Sequence, residues 1–132
     1  MAKRLTPYLE ASVLALPLAD RTYLLGRLQS SLRQDRRATA QERMGYLANK
    51  MRDTSGIDVT TPERYAAATW ARYIFIYISR QEGYSQKEIG AFLRRDHSTI
   101  SHAEQRMRDA FALPDGYRDV IEQYNNFIEA IL

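Results

Sequence analysis

The chain contains no cysteine. That absence excludes disulfide frameworks, Cys-ligated zinc, iron–sulfur clusters and thiol nucleophiles together, and it fits a reducing, cytoplasmic setting. Glycine and proline are scarce, at 6 and 4 of 132 residues, and no stretch of them forms a linker or a repeat array. Long apolar runs are missing: the longest, residues 73–78, lies between Arg72 and Arg80 and is far too short to span a bilayer. Met1-Ala2-Lys3-Arg4 before a mostly apolar stretch has the outline of a secretory signal. Glu10 and Pro17 interrupt that stretch, however, and no A-x-A cleavage pattern follows. A G-x-x-x-x-G-K-[ST] phosphate cradle is also absent, so neither nucleotide binding nor hydrolysis is expected. The two histidines, His97 and His102, stand five apart and miss the i, i+4 face that paired zinc ligands need, so no metal is expected. Paired carboxylates and a nucleophile with its base are equally lacking, which points away from an enzyme and from any cofactor.

What is present is ordinary globular composition, 45% hydrophobic and 27% charged, enough for a core. The net charge of +3 is unevenly spread. Residues 1–57 carry ten bases and five acids, residues 59–112 eight and six, and residues 113–132 one and four. Only the first 112 residues suit a polyanionic partner.

The hydrophobic spacing is helical throughout. A short helix begins at Thr6-Pro7. Asp20 caps a second helix to about Gln34, with Leu24, Leu25, Leu28 and Leu32 as its stripe. Arg36-Arg37 reads as a polar connection, and Thr39 with Glu42 as a capping box opening a helix that buries Met44, Leu47 and Met51. Thr61-Pro62-Glu63 starts another helix, to about Arg80. Within it, residues 73–78 have strand-like composition, but they continue an Ala-rich helical segment, so length favours a buried helix. Trp70, Tyr73, Phe75 and Tyr77 read as core rather than as a base-stacking platform. Ser85 with Glu88 is a second capping box, opening a short helix that stops at Arg94-Arg95. Asp96 caps the next, with Ile100, Ala103, Met107, Ala110 and Phe111 inward. Pro114-Asp115-Gly116 breaks that helix, and a last amphipathic helix follows from about Tyr117.

A short helix, a tight turn and a longer helix with a polar leading end form a helix-turn-helix pattern. The outward residues of the longer helix have the chemistry of base and phosphate recognition. Asp96 can accept from a cytosine amino group, His97 and Ser98 can donate or accept at base edges, and Arg106 can hold phosphate.

Lys87-Glu88-Ile89-Gly90, then Phe92, then Arg95-Asp96-His97-Ser98-Thr99-Ile100-Ser101-His102-Ala103 resembles the signature of the C-terminal DNA-binding domain of the bacterial replication initiator DnaA. The resemblance covers roughly residues 60–128 and implies an all-α bundle containing a Trp-repressor-like helix-turn-helix. It implies base reading by Asp96, His97 and Ser98. Phosphate or groove contacts are implied at Arg64, Ser85, Gln86, Thr99, His102 and Arg106, with Lys87, Arg94 and Arg95 adding basic contacts of this chain's own. Three departures stand out. The family's basic loop before its long helix is replaced by Gly56-Ile57-Asp58-Val59-Thr60-Thr61, which holds no base. The turn Arg94-Arg95 is one residue shorter than the common Gly-Gly-Arg form, and the initiator's ATPase motif is missing.

The expectation is therefore a sequence-specific duplex-DNA-binding protein of two parts. Residues 1–55 would be a helical region for dimerisation or partner binding, or packed on the rest, and residues 56–132 the DnaA-like domain. The rival readings are a structural or protein-interaction module and a transcriptional repressor of Trp-repressor-like topology.

Overall fold

The computed structural model describes residues 7–131, with side chains from Glu10 onward. The expected cap at Thr6 and the signal-like start at Met1-Ala2-Lys3-Arg4 lie outside the described residues. The described chain is all-α: α1 (Pro7–Leu14), α2 (Leu18–Ser55), α3 (Ala66–Gln81), α4 (Gln86–Leu93), α5 (His97–Ala112) and α6 (Arg118–Ile131), with a 3₁₀ turn at Pro114–Tyr117. It divides after Ala38 into two compact units.

In the first unit α1 closes with Ala15 N–H donating to Ala11 O, and Pro17 precedes the start of α2. Asp20 lies in the first turn of α2 rather than at its cap, where its carboxylate faces the positive end of the helix dipole. The sequence reading of two helices separated at Arg36-Arg37 is corrected: α2 is one helix of 38 residues. Asp35-Arg36-Arg37-Ala38 contains neither glycine nor proline, and arginine and alanine are strong helix formers, so nothing stops the helix there. Thr39 consequently sits in a helix interior.

In the second unit the rest of α2 supplies Ala40, Met44, Leu47, Ala48 and Met51 to a core shared with Val59, Ile74, Phe75, Ile78, Ile89, Leu93, Ile100, Met107 and Phe127. Every apolar position expected inward on α2 here and on α5 is buried, except Phe111, which is half-buried. Residues 73–78 are helical, as their length favoured. Phe75 is buried, while Trp70, Tyr73 and Tyr77 pack on the core from its edge. Arg43 Nε donates to Glu82 Oε1 at 2.7 Å, tying α2 to the end of α3.

A second correction concerns the start of α3. Thr61-Pro62-Glu63 does not begin the helix, which opens at Ala66 behind Tyr65 with no side-chain cap. The backbone there is held another way. Arg72, only 4% exposed, donates from Nε to Val59 O at 3.3 Å and from one terminal nitrogen to Thr61 O at 2.9 Å and Glu63 O at 2.8 Å. A buried guanidinium thus satisfies carbonyls that a loop would otherwise turn to water. Desolvation lowers its pKa from the usual arginine value, and the neighbouring Arg95 and Arg64 charges act in the same direction.

Candidate nucleic-acid interface

The helix-turn-helix is built by local capping. Ser85 accepts from Glu88 N–H at 3.0 Å while the Glu88 carboxylate accepts from Ser85 N–H at 3.0 Å, so both halves of the expected capping box form. At the other end of α4, Arg94 adopts φ 55° and ψ 47°, the left-handed conformation that ends helices but usually favours glycine. Arg95 N–H donates to Gly90 O at 2.9 Å and closes the turn. The chain is so tight here that a Cβ on Gly90 would stand 2.7 Å from Arg95 O. Glycine is the residue this approach requires.

Asp96 then caps α5. Its Oδ1 accepts from Thr99 N–H at 2.9 Å, from Thr99 Oγ1 at 2.9 Å and from Ser98 Oγ at 2.8 Å. These bonds, the backbone one foremost, hold its carboxyl below the usual carboxylate range. All three fall on Oδ1. Asp96, His97 and Ser98 are exposed together at the leading end of α5.

The flanking residues divide into groups. An open groove of about 570 Å³ brings together Gln86, Lys87, Arg94, Arg95 and His97 beside Gly90 and Ala91. A second, of about 320 Å³, joins Arg94 and Arg95 to Thr60, Pro62 and Leu93. The basic turn therefore lies between the α4 edge and the loop before α3, and Arg95 bridges to that loop by donating to Thr61 O at 3.3 Å. Arg64 is exposed on the same loop. Ser85 serves as the α4 cap, and Thr99 is half-buried beside Asp96.

His102 is exposed, its ring edge-on to Tyr73 at 5.9 Å. Arg106 lies outside the groove with Lys87. Its guanidinium sits 5.1 Å from the Trp70 ring and 5.8 Å from the Tyr117 ring, an arrangement that fixes an otherwise flexible cation. The Gln86 side chain is engaged within the protein, donating to Ser101 Oγ at 3.1 Å and to Glu104 Oε1 at 2.8 Å.

Sequence reasoning missed Glu104. It is 8% exposed, accepts from Arg80 Nε at 3.1 Å as well as from Gln86, and so fastens α3, α4 and α5 through one carboxylate. Arg72 was missed too. The signal for both was positional: Ala68, Ala71, Arg72 and Phe75, and likewise Ile100, Ala103, Glu104 and Met107, are spaced i, i+3, i+4, i+7. A charge in the i+4 slot of an apolar stripe marks a buried ionic group whose hydrogen bonds are met inside the fold.

A family model described as the bacterial dnaA protein helix-turn-helix matches residues 53–107. This segment is similar to the DnaA helix-turn-helix, a DNA-binding domain. The DnaA-type segment takes in the clamped loop, α3, α4 and α5 as far as Met107, which are the elements that carry Asp96, the basic turn and the Glu104 network. No curated protein and no solved structure matches the chain. Among the described residues no helix is long and apolar enough to cross a membrane, and no cluster of side chains could hold a metal ion.

Proposed function

We propose that the protein binds duplex DNA sequence-specifically through the leading end of α5. The observation that carries this reading is the exposed Asp96-His97-Ser98 corner, which directly follows a basic turn within a DnaA-type domain. Asp96 would act with both oxygens. Oδ1 holds the helix start, and Oδ2, which takes none of the three capping bonds, accepts from a cytosine amino group. His97 and Ser98 read the neighbouring base edges. Lys87, Arg94, Arg95 and Arg64 contact phosphates around the loop and turn, and Arg106, with His102 and Thr99, does so along α5. Ser85 and Gln86 contribute at the α4 N-terminus. The Gln86 side chain is committed to Ser101 and Glu104, so its part falls to the backbone N–H. With no base in residues 56–61, minor-groove reading is not part of this proposal.

Selection of bound duplexes from a random pool tests it. A consensus preferred over scrambled sequence by ~10³ or more is expected. His97→Ala should cost ~1–3 kcal/mol and relax one position of that consensus, whereas Arg106→Ala should weaken all duplexes alike and lower the salt slope by about one. Equal affinity for every duplex would refute sequence-specific reading.

A further inference from the structure

The first half of α2 presents a problem that its own unit does not solve. From residue 14 to residue 39 every side chain is exposed except that of Leu24, which is half-buried. Leu25, Leu28 and Leu32 are 55%, 55% and 68% exposed. Helices in water owe most of their stability to a covered apolar face, and this stretch has the face without the cover.

The charges flanking the leucines have an order of their own. Seven residues before Leu28 stands Arg21, and seven after it Asp35; eight before stands Asp20, and eight after it Arg36. Seven residues are close to two helical turns, so Arg21 and Asp35 share the Leu28 face at its two ends, while Leu24 and Leu32 lie four residues to either side. Reversing the direction of this segment about Leu28 exchanges each base for an acid. A second copy laid antiparallel therefore sets Leu28 against its counterpart, Leu24 against Leu32 of the partner subunit, Arg21 against Asp35 of the partner subunit, and Asp20 against Arg36 of the partner subunit. A parallel copy would instead oppose arginine to arginine and aspartate to aspartate.

We infer that α2 self-associates antiparallel about a two-fold axis at Leu28, with a second copy of this chain covering the leucine face. The interface is isologous, as closed dimers require. It uses none of the residues of the α4–α5 corner and makes no use of DNA.

Sedimentation equilibrium of the full chain without DNA is the test, carried from low to high micromolar concentration. A monomer–dimer equilibrium is expected. Leu28→Lys should give a monomer, with helix content checked by circular dichroism. Arg21→Asp alone and Asp35→Arg alone should each weaken the dimer about tenfold or more, by setting like charges against each other. The double reversal should bring the dissociation constant back to within about threefold of the parent. A full-length chain that stays monomeric throughout overturns the inference, as does a double reversal that fails to recover association. Neither result bears on the random-pool selection, so failure of the dimer and failure of DNA reading are distinguishable.

Discussion

Gly90→Ala isolates the geometry of the turn. A Cβ there meets Arg95 O at 2.7 Å, against an ordinary contact of 3.4 Å or more, and the atom it meets is backbone. The Arg95 carbonyl cannot retreat independently, because the N–H of the same residue donates to Gly90 O at 2.9 Å. Overpacking of this kind costs ~1–3 kcal/mol. Alanine recovers ~1 kcal/mol of helix propensity, and the net destabilisation expected is up to about 2 kcal/mol. Gly45→Ala supplies the control, because that glycine is also helical but nothing lies within 4 Å of its added Cβ. There only the propensity gain remains, about 0.8–1 kcal/mol of stabilisation. At ~4–8 °C per kcal/mol for a unit of this size, Gly90→Ala should melt up to about 15 °C below the parent and Gly45→Ala about 3–8 °C above it. Thermal unfolding followed by circular dichroism reads both. If Gly90→Ala rises above the parent as Gly45→Ala does, the close approach does not constrain the turn and the reasoning fails.

Arg94→Gly should raise stability by ~1 kcal/mol in the same assay, because glycine adopts φ 55° without the Cβ cost, while losing about one unit of salt slope in DNA titrations. Arg72→Met should destabilise by about 2–3 kcal/mol in urea unfolding, since the Val59, Thr61 and Glu63 carbonyls lose their shared donor; an unchanged midpoint would show that the loop does not depend on the clamp. Asp96 gives a pH signature. Its folded pKa is depressed, chiefly by the Thr99 N–H, so its contribution is present in full above the unfolded carboxylate value near ~3.9 and is lost as pH falls through the lower folded value. Asp96→Ala should therefore flatten the acid limb of the stability profile, leaving the part due to Asp58, which Thr60 depresses in the same sense.

The parts of the fold that were legible in the sequence are those set by neighbours in the chain. Ser85 with Glu88, Asp96 with Thr99, and the Ile100-to-Ala110 stripe are all short-range signals, and each forms as expected. The failures share one cause, which is that capping chemistry favours a helix start but does not compel one. Thr39 and Glu42 have the right spacing, yet the residues before them continue a helix with nothing to end it. Thr61-Pro62-Glu63 has a good opening pattern, yet its carbonyls are claimed by Arg72, a residue well along the chain. At the candidate site the exposed corner was legible because its residues are consecutive. The Glu104 network and the aromatic seat of Arg106 join separate helices, and adjacent residues carry no direct sign of such pairings.

The two arginines of the turn are adjacent in sequence but differ in freedom. Arg94 is exposed and has no hydrogen-bonded anchor among the described contacts of its side chain, whereas Arg95 is half-buried and tethered to Thr61 O. On the reading proposed for this domain, that difference separates kinetics from lifetime. A loose exposed cation acts at a distance and adds to the rate of encounter with a polyanion. A tethered one has already lost much of its side-chain entropy, so a phosphate that reaches it is held with less left to order, and its contribution falls on the rate of escape.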